Sequence, residues 1–329
     1  MLNKRLKSID ILKGICILMI VWGHAKGLLN YEFILLAVPG FFIISGFLHN
    51  RTNNFNEFFK KKFKRLYIPF VCCNLILPVI VLIKRFILGL EIKNNIIYIL
   101  KIILTYDKDG FLFGASWFLG SLFVISITIK ALEKLFKKNY ILTGAFYLTV
   151  ILLFIHCFNH NYEIKRTLLG GVFYLIGIYL NLYRKPIYNI FKQYNFIVVL
   201  MIFIEILLWK TIYDFSYANT FLLNTVCFIV VSTIFSFILY AFSKYIERKI
   251  KLSKIISYFG RNSLYILLFH FIFFEIINAC ILKINGIPLN VIQGLPHVIC
   301  NSPVCIFLYF AGGLFGSLAL AKLIKNLKY

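Results

Sequence analysis

Lys4-Arg5-Leu6-Lys7-Ser8-Ile9-Asp10-Ile11-Leu12-Lys13-Gly14-Ile15-Cys16-Ile17-Leu18-Met19-Ile20-Val21-Trp22-Gly23-His24 is a basic stretch that runs into an apolar one continuing to Leu29. A charged start and an apolar body are also the marks of a cleaved secretory signal. Here, however, comparable apolar runs recur to the end of the chain. The segment therefore reads as a retained first membrane span.

Composition supports that reading. Hydrophobic residues make up 61% of the 329 and charged residues only 15%, more apolar surface than a soluble core of this length can hide from water. About 20 apolar residues cross a bilayer. Candidate spans fall near 11–29, 33–48, 66–83, 111–132, 140–158, 167–183, 195–213, 220–242, 262–282 and 303–324. The expected fold is an all-α polytopic membrane protein of about ten transmembrane helices, one domain over 1–329 with no soluble domain. The nine-residue run 96–104 is too short to cross and reads as an interfacial or re-entrant piece.

A formal charge of +24 raises the possibility of nucleic-acid binding, but 18% aromatic content and no hydrophilic domain argue against it. The charge reads as a topology signal. With the amino terminus inside, 24 of the 36 Lys and Arg fall in cytoplasmic segments and 10 in outer loops, so the positive-inside rule places both termini in the cytoplasm of a plasma or inner membrane. Cys16, Cys72, Cys73, Cys157, Cys227 and Cys280 lack CxxC spacing and read as small apolar residues; Cys300 and Cys305 fall on the outer side, where a disulfide can persist but is not the expectation.

Ionisable groups inside a span are costly, which makes each a functional candidate. Asp10, Lys13 and His24 share the first span. At about 100° per residue, Lys13 and His24 lie within roughly 20° of one face and about 16 Å apart along the axis, with Asp10 within about 40° of it. A polar stripe thus runs from the cytoplasmic mouth to a histidine in the outer half of the bilayer. Two readings stay open at this point. His24 can be a general base in a dry interior, with a basic group at the mouth to hold phosphate, or it can be interhelical hydrogen-bonding glue.

Ser8-Ile9-Asp10-Ile11-Leu12-Lys13-Gly14 followed by His24 resembles the opening of the acyltransferase-3 family of membrane acyltransferases, with its Asp-x-x-Arg-Gly element and Arg-x10-His spacing. Lys13 stands where that family usually has arginine, and lysine lacks the bidentate fork. The resemblance continues in Pro39-Gly40-Phe41-Phe42-Ile43-Ile44-Ser45-Gly46-Phe47-Leu48, similar to Phe-Phe-x-x-Ser-Gly-Phe. It extends to Phe59-Lys60-Lys61-Lys62-Phe63-Lys64-Arg65-Leu66-Tyr67-Ile68-Pro69, similar to a basic loop ending in Arg-x-x-Arg-Leu, with Lys62 replacing the first arginine. Trp117-Phe118-Leu119 and Ser263-Leu264-Tyr265-Ile266-Leu267-Leu268-Phe269-His270 match weaker, later signatures.

The resemblance implies an enzyme that takes an acyl group, usually acetyl, from cytoplasmic acyl-CoA and delivers it to a hydroxyl of a cell-envelope or lipid-linked carbohydrate. His24 would be the base and Asp10 would position Lys13 or the helix start. Lys13, Lys62 and Arg65 would hold the CoA phosphates. Acetyl-CoA is then a co-substrate, with no permanently bound cofactor and no metal. The basic cluster also reads as a positive-inside anchor. Ser45 reads as a helix-packing residue before an acylated nucleophile. Trp117 with Phe118 suits an acyl or acceptor pocket, or equally an interfacial aromatic belt. His270 and Glu275, in the ninth span, could orient His24 or bind acceptor hydroxyls, and Glu275 equally suits an interhelical hydrogen bond. Glu205 has no evident partner. His156, His160 and Glu163 are spaced too loosely for a metal site, and His49 and His297 fall in loops. A polysaccharide or lipid-linked sugar exporter or flippase without acyl transfer, or a ligand-binding or scaffold protein with a degraded site, is the alternative class.

Overall fold

The computed structural model describes residues 6–28, 30–51, 54–76, 115–157, 162–183, 222–289 and 298–326. The expected span at 195–213, the run 96–104, Glu205, His160, His297 and parts of the spans at 66–83 and 111–132 lie outside these residues, as do the side chains of His156 and Glu163.

Every regular element among the described residues is helical. In chain order they are α1 (Lys7–His24), α2 (Asn30–Phe47), α3 (Phe55–Lys62), α4 (Trp117–Leu135), α5 (Tyr140–Cys157), α6 (Tyr162–Leu182), α7 (Leu222–Glu247), α8 (Ile250–Arg261), α9 (Ser263–Ile284), α10 (Pro303–Ala311) and α11 (Ser317–Asn326). A π-helical turn, Phe63–Tyr67, continues α3 into helical residues 68–76, and a second, Gly312–Gly316, joins α10 to α11. Phe228–Glu247, Ser263–Ile284 and Pro303–Asn326 are each long and apolar enough to cross a membrane. Helices also occupy most of the other expected spans, so the chain is an all-α membrane protein.

Two bounds differ from expectation for local reasons. The first span was expected to reach Leu29, but α1 ends at His24. Lys26 turns left-handed at φ 58°, and Gly27 folds against the Trp22 indole, where a Cβ would lie 2.1 Å from the ring. The Trp22 indole N–H then donates to the Leu28 carbonyl at 3.0 Å and closes the turn. The segment 243–257, expected as loop, contains most of α8. Its Ile256 carbonyl packs so closely on α1 that a Cβ at Gly14 would sit 2.1 Å from it.

The chain divides into two compact units. Unit 1 comprises Met1–Cys16, Leu35–Arg65 and Ser121–Tyr258, and unit 2 comprises Ile17–Ile34, Leu66–Gly120 and Phe259–Tyr329. In unit 1, α2 and α6 meet backbone to backbone. A Cβ on Gly46 would lie 1.8 Å from the Tyr174 carbonyl oxygen, and one on Gly177 would lie 2.1 Å from that of Ile43. Small residues facing across a helix pair are what draws helices together in lipid, where burial gives little drive.

In unit 2, α9 packs against the π turn that follows α10. Gly312, Gly313 and Gly316 leave room there for Ile277, Phe274 and Phe273. The Tyr309 hydroxyl donates to the Asn278 side-chain oxygen across this interface. Ser302 caps α10 by accepting from the Cys305 N–H at 3.2 Å, with Pro303 at the first helical position.

This cap brings Cys300 and Cys305 together, and the two are disulfide-bonded with Cα atoms 5.8 Å apart. The expectation that these two cysteines stay unpaired, although their outer placement allows a disulfide, is corrected. A residue two positions before the helix cap and one in the first turn fall within the reach of a disulfide.

Candidate active site

His24 is the last residue of α1. Its Nδ1 lies 3.0 Å from Nε2 of His270, and the two rings stack with centroids 5.1 Å apart and planes 13° from parallel. His270 is fully buried. Its Nδ1 sits 2.9 Å from the Ile266 carbonyl, one turn back in α9.

That second contact sets the tautomers. A carbonyl only accepts, so His270 carries its proton on Nδ1 and presents a lone pair at Nε2. His24 must then donate from Nδ1, which puts its own lone pair on Nε2. His24 is partly exposed, whereas His270 is walled by Phe271, 4.1 Å away between ring centres, and by Phe274 at 5.7 Å. The arrangement is a base with one nitrogen pinned by a buried partner and the other holding the lone pair. Glu275 lies five residues beyond His270 in α9, about 140° further round the helix, and is half-buried.

The basic residues gather in unit 1. α3 begins at Asn54, whose side chain accepts from the Glu57 N–H at 2.8 Å, and ends in Lys60, Lys61 and Lys62. The π turn after it carries Lys64 and Arg65. Lys62 lies with its ammonium 5.4 Å from the centre of the Phe58 ring and 5.8 Å from that of Tyr174. Burial pushes its pKa down to about 8, and the charges of Lys61, Arg65 and Lys13 add to the push. Lys13, remote in sequence, is thus within electrostatic reach of Lys62. The cluster carries an excess of positive charge against partly buried surroundings, which suits a multiply charged anion.

Asp10 is buried in the first turn of α1. Ser45 is half-buried on α2 beside the close Gly46 contact. Trp117 opens α4 with its ring edge-on to Phe118, 6.1 Å between centres.

Sequence reasoning missed one constellation, that around His49. This residue follows α2 and is buried rather than a solvated loop residue. Its Nε2 donates to Glu133 Oε2 at 2.9 Å, and its Nδ1 accepts from the Tyr174 hydroxyl at 2.8 Å. Lys130 donates to the same Glu133 oxygen at 3.1 Å and to the Asn50 carbonyl at 3.1 Å. Burial lowers the His49 pKa against the pull of Glu133. Glu133 is held below the ordinary carboxylate value because hydrogen bonds from His49 and Lys130 outweigh the burial that opposes them. The signal in the sequence was Lys130 and Glu133 at i, i+3 beyond the apolar run of α4, a pair easily taken for a solvated anchor.

A family model described as an acyltransferase domain matches residues 6–326, essentially the whole chain. No curated protein and no solved structure matches it.

Proposed function

The chain belongs to the acyltransferase-3 family of membrane acyltransferases, and on that premise we propose that it moves an acyl group, acetyl by expectation, from cytoplasmic acyl-CoA to a carbohydrate hydroxyl. The acceptor class is a cell-envelope or lipid-linked glycan. The observation that carries the reading is the His24–His270 contact, which leaves the His24 lone pair on Nε2. In this reading that nitrogen takes the proton of the acceptor hydroxyl as the hydroxyl oxygen attacks the thioester carbonyl. The C–O bond forms, the C–S bond breaks, and CoA leaves as its thiol once a proton is returned to sulfur.

The donor phosphates are assigned to Lys62, Arg65 and Lys13, an ammonium and guanidinium set of the kind that binds phosphate. Lysine at two of these positions offers point charges rather than a planar fork. α1 carries Lys13 and His24 eleven residues apart, about 16 Å of helical rise. Asp10 is assigned to orient the start of that helix. Trp117, Ser45 and Glu275 are assigned to the acceptor side, with Ser45 chiefly a packing residue. The Cys300–Cys305 disulfide supports an extracytoplasmic place for that loop, as the charge-based topology expects.

Purified protein with labelled acetyl-CoA should release CoA when given its glycan acceptor, and His24→Ala should stop release without loss of folded protein. Turnover retained in that variant would sink the assignment of His24. Acceptor movement across vesicles without acyl-CoA would favour an exporter.

A further inference from the structure

We infer that His49, Glu133 and Lys130 are positioning residues for the donor-binding ammonium of Lys62, acting through the rings of Phe58 and Tyr174. The inference rests on the donor-site reading of Lys62 above.

α3 is eight residues long, and Phe58 is its one buried side chain, at 2% exposure. A helix this short has little stability of its own, so its place is set by what holds that ring. Three groups do so. The Lys62 ammonium is 5.4 Å from the Phe58 ring centre, the Lys130 ammonium is 5.5 Å from it, and the His49 imidazole lies 5.1 Å away, tilted by 49°. Two cations on one aromatic ring repel each other, and they stay there only if something fixes them. Lys130 is fixed by Glu133 and the Asn50 carbonyl, and His49 by Glu133 and the Tyr174 hydroxyl. Tyr174 then offers Lys62 its second ring.

The order carboxylate, imidazole, hydroxyl in Glu133, His49 and Tyr174 is that of a nucleophilic triad. Burial rules out that use. Tyr174 has no exposed surface and Glu133 has 1%, so the hydroxyl cannot meet a substrate in this arrangement. Stability is a weak explanation as well, since a buried charge pair commonly gains nothing over apolar residues of the same shape. What the network supplies is position. A lysine has four rotatable bonds and a strongly hydrated head, and beside Lys61, Arg65 and Lys13 it is repelled towards water. The two network-held rings give it a cation–π seat instead.

The test is a double-mutant cycle on the purified full-length protein in lipid nanodiscs, with CoA itself as probe and calorimetric titration as readout. Lys62→Ala should weaken CoA binding about tenfold or more, as loss of a charged hydrogen bond does. His49→Leu should weaken it about three- to tenfold, raising KM for acetyl-CoA while kcat at saturation is kept, and should add nothing in the Lys62→Ala background. Tyr174→Phe keeps the ring beneath Lys62 and removes only the hydroxyl that anchors it. It should reproduce the His49→Leu effect, and it carries the test if His49→Leu does not accumulate as folded protein. CoA affinity unchanged in the folded variants of His49 and Tyr174, or losses that multiply with that of Lys62→Ala, would overturn the inference and leave the donor site standing. Unchanged CoA affinity in Lys62→Ala would remove the donor-site reading, and this inference with it.

Discussion

His24 Nδ1 and His270 Nε2 lie 3.0 Å apart, and since His270 Nδ1 is committed to the Ile266 carbonyl, the proton between the rings belongs to His24. His270 therefore acts on chemistry at His24 Nε2 without touching it. His24→Ala should lower kcat by about 10²- to 10⁴-fold, the usual contribution of a general base. His270→Phe keeps the bulk and removes the acceptor, so it should lower kcat by about 10- to 100-fold with KM for acetyl-CoA unchanged. His270→Gln, which can still accept through its side-chain oxygen, should recover part of the loss. Thiol release from acetyl-CoA in the presence of acceptor reads all three.

Lys62 predicts two pH dependences of opposite sign. Its pKa of about 8 lies below the ordinary lysine value because of burial and the charges of Lys61, Arg65 and Lys13. A phosphate binds the ammonium form, so CoA affinity should be level below about pH 7 and fall as pH rises through 8. The unfolded chain binds more protons than the folded one between about 8 and 10.5, so the Lys62 contribution to stability of the CoA-free protein should rise with pH across that window. Titration of CoA from pH 6.5 to 9 checks the first, and thermal unfolding of wild type against Lys62→Met from pH 7.5 to 10 checks the second.

Gly46 and Gly177 are set by the α2–α6 contact. A Cβ at either meets a carbonyl oxygen of the opposing backbone, at 1.8 Å and 2.1 Å, and neither helix can yield without moving the other. Gly46→Ala and Gly177→Ala should each destabilise the protein by about 1–3 kcal/mol or more, seen as a lower thermal midpoint in detergent. Gly286→Ala offers a contrast. Nothing lies within 4 Å of a Cβ there, but φ is +67°, and the expected cost is about 1 kcal/mol of backbone strain.

Cys300 and Cys305 should resist a membrane-impermeant maleimide applied to intact cells until a reductant is added, and both should then label. Labelling without reductant would refute the disulfide. Cys300→Ser with Cys305→Ser should cost about 2 kcal/mol of stability, the loop-entropy value for so short a loop.

The helical character of the chain, its membrane setting and its basic cluster were legible in sequence because each is a sum over neighbours. Apolar runs the length of a bilayer announce helices wherever they fall, and α5 and α9 match the expected 140–158 and 262–282 within a few residues. The polar stripe of α1 was equally legible, since Lys13 and His24 share one helix and its period relates them. The early end of α1 at His24 was not legible, because it depends on the Trp22 ring folding over Gly27.

What one helix says to another lay beyond the sequence. His49 looked like a loop residue beside an apolar run, and only the tertiary structure placed it between Glu133 and Tyr174, 84 and 125 positions away. His270 and Glu275 both stood as candidates to orient His24, with the resemblance leaning towards His270, and the structure brings His270 Nε2 to 3.0 Å from His24 Nδ1. Hydropathy and charge are set by composition within a short window and survive any packing. The partner of a side chain is set by the rotation and crossing of helices, which follow from contacts such as Gly46 on Tyr174 and Gly177 on Ile43. By itself the sequence determined that this chain lives in lipid as helices with a basic face, and the tertiary structure decided which of its few polar side chains meet.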